Sequence, residues 1–137
     1  MKAAAGLILL LAAPMAAIAG GSWAGESRGA VITYGKQAFK SARISAPSAL
    51  PARAVASRVS WKITPDAPVS PYFDIKLCAG FQCIALPGLS GSAKLPASFP
   101  AAGPLHFVYS FKTRGPVSPA LTILSNRVTV NYRVAGK

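Results

Sequence analysis

Arg58-Val59-Ser60-Trp61-Lys62-Ile63 decides the fold class. Val59, Trp61 and Ile63, with Val55 before them, fall on one side, while Arg58, Ser60 and Lys62 fall on the other. A period of two carried by β-branched and aromatic residues marks a strand with one face buried and one wet. The same rhythm returns three times. Phe73, Ile75 and Leu77 alternate with Asp74 and Lys76; Leu105, Phe107, Tyr109 and Phe111 with His106, Ser110 and Lys112; Val128, Val130, Tyr132 and Val134 with Thr129, Asn131 and Arg133. Weaker strands are expected at Ala30–Tyr34, Gln37–Ile44, Cys83–Leu86, Ser92–Leu95 and Leu121–Leu124.

Turn residues punctuate these runs at Tyr34-Gly35, Ala46-Pro47, Pro65-Asp66-Ala67-Pro68, Pro87-Gly88, Ala102-Gly103-Pro104, Arg114-Gly115-Pro116 and Ser125-Asn126. Gly and Pro number 12 each in 137 residues, together above the usual share of about 12%. No segment after the first nineteen residues sustains the three-four spacing of an amphipathic helix. The expectation is one all-β domain, an antiparallel β-sandwich, with a small β-barrel as the alternative. Trp61, Phe73, Phe107, Tyr109, Phe111 and Tyr132 are its expected core aromatics. Trp23 lies outside any strand pattern in Gly20-Gly21-Ser22-Trp23-Ala24-Gly25, and the sequence leaves it either docked or exposed.

Residues 1–19 read as a secretory signal peptide. Lys2 is basic, Gly6–Ala13 is apolar, Pro14 interrupts, and Ala17-Ile18-Ala19 offers small residues at both recognition positions. A membrane anchor is the weaker rival, because a spanning helix needs about 20 apolar residues without such a break. Cleavage after Ala19 leaves residues 20–137 as a single β-sandwich domain in the periplasm, with no transmembrane segment. It also removes Lys2, lowering the formal charge of +12 by one.

An even cysteine count in an exported chain is read as a disulfide. Cys78 and Cys83 enclose four residues, Ala79-Gly80-Phe81-Gln82, suited to a hairpin loop. Half of a zinc site is disfavoured, because zinc takes four ligands and the chain's Cys and His supply three. A redox pair is disfavoured by the absence of C-x-x-C spacing and of a following helix.

Glu26, Asp66 and Asp74 are all the acidic side chains, and His106 is the one histidine. That supply nearly excludes paired-carboxylate chemistry and a histidine-rich metal site. Gly88-Leu89-Ser90-Gly91-Ser92 lacks the G-x-S-x-G pattern and a helix after it, so it is a turn. No catalytic residue, metal or cofactor is expected, and His106 falls on a polar strand face as a solvated side chain. The 15 Lys and Arg residues suit anionic lipid, lipopolysaccharide or acidic protein surfaces better than nucleic acid in an exported protein, or serve solubility alone.

The run Leu124-Ser125-Asn126-Arg127-Val128-Thr129-Val130-Asn131-Tyr132-Arg133 resembles the end of FlhE, a family of periplasmic flagellar proteins. Val59–Lys62, the Ile75-Lys76-Leu77-Cys78 lead into Cys83, the Gly-rich opening with Trp23, and Leu105–Tyr109 are similar in the same order. Residues 134–137 extend past the usual ending, and the strong basic charge is a second departure. The resemblance implies a soluble β-sandwich, not an enzyme, encoded with components of flagellar type III export. It also implies orderly flagellar assembly, limited proton leakage through the export system, and a chaperone-like role toward flagellar parts.

Expected partners are therefore flagellar export or rod components in the periplasm, bound without turnover by a monomer. The alternative is an envelope module for anionic glycan or lipid, or a small periplasmic inhibitor. Arg127, Asn131 and Arg133, with Thr129, face outward on the final strand. If Arg127–Val134 is an edge, it can capture an extended segment as an added strand. If it is central, Val128, Val130 and Tyr132 are simply core.

Overall fold

The computed structural model describes residues 20–135, so the expected signal peptide lies outside the described residues. Nine strands follow in order: β1 Gly20–Ser27, β2 Val31–Tyr34, β3 Phe39–Lys40, β4 Ala54–Pro65, β5 Phe73–Ala79, β6 Gln82–Leu86, β7 Ser90–Lys94, β8 His106–Phe111 and β9 Pro116–Val134. Among the described residues there is no helix, and none is therefore long and apolar enough to cross a membrane. The larger sheet runs β1-β9-β4-β7, with β2 on the first half of β9; the smaller runs β3-β8-β5-β6. Each sheet keeps its own edges, so the architecture is a sandwich and not a closed barrel.

The alternating residues of both sheets meet between them. Val59, Val128, Val130 and Ile123 from one side face Leu77, Phe107 and Tyr109 from the other, all essentially inaccessible. Burying one such side chain contributes about 1.5–3 kcal/mol. Trp61 is buried too, its indole N–H donating to the Gly88 carbonyl at 2.9 Å. Phe73, Phe111 and Tyr132 are half-buried against this core, with the Phe73 and Tyr109 rings stacked at 5.5 Å.

Four local expectations change. Gly20–Gly25 is not outside the strands: it belongs to β1, which pairs with β9 from Gly20–Arg133 to Ser27–Asn126. Trp23 docks there, 6% exposed, donating to the Ala101 carbonyl at 2.7 Å. Gly25 lets it fit, since a Cβ at that position would lie 2.5 Å from the Ile44 side chain. The glycine-poor rhythm of a strand is absent because the neighbours leave no room for side chains.

Second, a bulge between Ala56 and Arg58 shifts the register of β4. An extra residue reverses which side chains point inward. Ala56 is buried, and Val55 pairs outward with Arg133. Third, Ser125-Asn126 is no turn, because β9 runs unbroken through it. The Asn126 side chain is fully buried, accepting from the Tyr109 hydroxyl and donating to the Gly29 carbonyl at 2.7 Å. A polar residue that reads as a turn signal is here a satisfied interior contact between the sheets. Burial also pushes the Tyr109 phenol far above its ordinary pKa.

Fourth, Gln37–Ile44 shortens to the two residues of β3, joined by a single bridge between Ile44 and Leu105.

Candidate functional site

β9 settles the position of the expected binding residues. From Gly20–Arg133 to Ser27–Asn126 it is hydrogen-bonded to β1, and over the same span its other side pairs with β4. Arg127–Val134 is therefore a central strand. An extended partner cannot be added to it, because both rows of backbone groups are already used. Arg127, Asn131 and Arg133 keep the other property expected of them. All three are exposed on the outer face of the larger sheet.

The register shows what joins them there. One rung across the strands reads Ser22, Asn131, Arg58, Lys94. The next reads Ala24, Thr129, Ser60, Ser92, and the third Glu26, Arg127, Lys62, Ser90. Short side chains in the middle rung leave a trough across the sheet, walled by long cationic ones. Rungs on one face repeat at about 6.8 Å, so the walls stand about 14 Å apart at their bases. On either side of β9 lies a depression, one of about 210 Å³ between Arg127 and Lys62 and one of about 460 Å³ between Arg127 and Glu26.

Arg58, Lys62, Lys94, Arg127 and Arg133 thus share a face whose acid is Glu26. Glu26 Oε1 lies 3.7 Å from Arg127 Nε, with both side chains more than half exposed. Such a pair contributes about 0–1 kcal/mol and leaves the face strongly positive. Sequence reasoning had each strand's wet residues but not Arg58, Lys62 and Lys94 as neighbours of Arg127. Matching the polar positions of two long alternating strands, residues 58–62 and 127–131, is the signal that could have joined them.

At one end of the smaller sheet Cys78 and Cys83 face each other across β5 and β6, bonded at 2.02 Å with their Cα atoms 4.0 Å apart. The turn beyond them is Gly80-Phe81, between the paired Ala79 and Gln82. Gly80 has φ +62°, which fits the glycine that a type II′ hairpin turn requires at its first central position. His106 pairs with Cys78 on the outer face of this sheet. It is not freely solvated as its polar position suggested. Half-burial first, then the cations of Lys40 and Arg43, hold its imidazole below the usual histidine pKa.

The carboxylates are dispersed. Asp74 lies 3.7 Å from Lys112, Asp66 accepts from the Thr122 N–H at 3.1 Å, and Glu26 sits on β1. Among the described residues, no three of His, Cys, Asp or Glu come together as a metal site would require.

The geometry defines a class first: a two-sheet antiparallel sandwich with a filled interior, a cationic outer face and a disulfide-closed hairpin. Sequence and structure comparison then give the family. The sequence model described as Flagellar protein FlhE matches residues 29–133, so the chain belongs to the FlhE family of flagellar proteins. It is 32% identical over 126 residues to "Flagellar protein FlhE" of Salmonella typhimurium, covering 92% of this chain and 95% of the relative. It is 31% identical to the Yersinia enterocolitica protein of that name, covering 93% and 92%. A solved structure titled "Crystal Structure of FLHE" superposes with a TM-score of 0.72 at 30% identity, covering 84% of this chain and 98% of that one.

Proposed function

We propose that this protein is a periplasmic accessory factor of flagellar type III export and assembly that acts by binding, without turnover. Residues 1–19 direct it there and are removed after Ala19. The observation that carries the reading is the match to a flagellar family across residues 29–133. The cationic trough supports a binding role, because it offers charge, hydrogen-bonding Thr129 and Asn131, and a floor low enough for an extended chain. A chaperone-like contact with flagellar components, and through it control of export or proton leakage, is the function this surface suits.

Deleting the gene and imaging flagella in intact cells tests the role. Misassembled or periplasmic flagella are expected, and normal flagella, motility and export would overturn it. Arg127→Glu with Arg133→Glu tests the face, since both side chains are exposed and the fold should persist. Loss of complementation by a folded double variant is expected. The second reading, a module for anionic glycan or lipid, draws on the same five cations. It predicts binding to lipopolysaccharide that this double variant abolishes, with flagella unaffected.

A further inference from the structure

At the hairpin end, on the outer face of the smaller sheet, Lys40, Arg43, Gly80, Phe81, Pro104 and His106 enclose a hollow of about 380 Å³. Three separate parts of the chain converge on it: β3 with the residues after it, the β5–β6 turn, and the start of β8. Its electrostatics are one-sided. The three side-chain carboxylates all lie elsewhere, beside Arg127, Lys112 and the Thr122 amide. Phe81 is fully exposed, at 107%, on a two-residue turn closed directly behind by the disulfide. A lone exposed apolar residue is ordinary. A ring at the rim of a cationic hollow, on a turn whose backbone the disulfide closes, is different, because the backbone part of its ordering cost is met before binding.

We propose that this hollow is a docking site for an acidic peptide segment of a protein partner. A carboxylate side chain enters between Lys40 and Arg43, and a neighbouring apolar side chain packs on Phe81. A free anion would leave the ring unused. A lipid surface is also a poor match, since membrane seating scales with the apolar area inserted. Two other exposed aromatics, Tyr34 and Tyr72, sit near Phe111 and Lys112, at the opposite end of β8 from His106. The hollow's end thus offers one ring above a concave, charged floor. The site goes beyond the flagellar reading and would stand if that reading failed.

Protonation should be linked to docking. The charged groups facing His106 are Lys40 on β3, Arg43 after it, and Lys76 one rung along β5; the disulfide beside it does not titrate. All three are cationic, and Lys40 and Arg43 oppose the imidazolium, so a bound carboxylate offsets that opposition and docking is accompanied by proton uptake at the His106 imidazole.

The test is a titration of the purified, oxidised protein with acetyl-Asp-Phe-Asp-amide, followed by amide shifts in nitrogen–proton correlation spectra. Shifts are expected at Lys40–Arg43, Gly80–Phe81 and His106. Phe81→Ala, or Lys40→Gln with Arg43→Gln, should weaken binding at least about tenfold, the scale of losing an interface anchor. Affinity should rise as pH falls from 7.5 to 5.5, and His106→Gln should flatten that rise while keeping binding. Equal binding of acetyl-Asn-Phe-Asn-amide would overturn the proposal. So would the same shifts and affinity with inorganic phosphate, or Phe81-dependent binding to phosphatidylglycerol vesicles with no response to the peptide. Because the readout is peptide binding in vitro, its failure is separate from any result of the gene deletion.

Discussion

β9 and the β5–β6 hairpin are both paired antiparallel strands, yet they are stabilised in opposite ways. β9 is nineteen residues long, flanked by β1, β2 and β4, and roofed by the other sheet. The hairpin places its second strand at a sheet edge, with a turn that reaches past the sheet and exposes Phe81. Burial and two-sided hydrogen bonding fix the first; a covalent bond between neighbouring strands fixes the second. The difference separates two kinds of surface. β9 presents side chains from a backbone paired on both sides, while the hairpin presents a ring and a hollow that depend on local closure.

The largest effect expected from breaking this arrangement lies inside β9. Asn126→Leu strands the Tyr109 hydroxyl and the Gly29 carbonyl without partners. Each buried polar group left unpaired costs about 1–3 kcal/mol, so the variant should lose about 3 kcal/mol or more in urea unfolding. Tyr109→Phe, which removes one donor and leaves Asn126 donating to Gly29 and Ser27, should lose less. A loss below about 1 kcal/mol for Asn126→Leu would mean that the interior pair does not fasten the sheets.

The hairpin should respond more mildly. Replacing Cys78 and Cys83 by Ser opens a short loop, worth about 2 kcal/mol or less in the chain-entropy model. The rest of the sandwich should keep its amide spectrum, with changes confined to residues 76–85 and the facing end of β8. If the whole spectrum collapses instead, the staple supports the fold and not only the turn. Two free thiols titrating in the native protein would remove the premise altogether.

The contrast also explains what the sequence could reveal. Strands β4, β5, β8 and the end of β9 were legible because each has its own alternation of apolar and polar residues. The cysteine pair was legible because an even count at hairpin spacing argues locally. Long-range register was not. β1 is written in glycine and serine, and becomes a strand only because β9, over a hundred residues later, supplies its partner. Asn126 looks like a turn residue until Tyr109 reaches it from the other sheet. The outer face follows the same rule: Arg127, Asn131 and Arg133 were foreseen as outward, but their grouping with Arg58, Lys62 and Lys94 is a fact of pairing. Phe81 carried a faint local signal, an aromatic inside a four-residue loop. Nothing in the one-dimensional pattern set Lys40 and Arg43 beside it.

The smallest expected effect is a pH dependence at the hairpin end, and its sign is fixed by His106. Burial, then Lys40 and Arg43, lower the folded-state pKa below the unfolded value of about 6.5. Between those two values the unfolded chain holds more proton than the folded one, so stability rises with pH there. Going down in pH, the folded state should begin to lose stability as the solution passes about 6.5. The loss should level off once the folded imidazole is itself protonated. His106→Gln removes that slope without introducing a charge. The comparison to make is denaturant midpoint against pH from 7.5 to 5.0 for the wild type and this variant. The wild type should fall more steeply over that window, and the two curves should run parallel above about pH 7.5, where histidine is neutral in both states. Because the imidazole is only half-buried, the effect should stay well below that of opening the disulfide. Parallel curves throughout would show that neither burial nor the cations of Lys40 and Arg43 lower the His106 pKa, and would weaken the case for the hollow as a one-sided field.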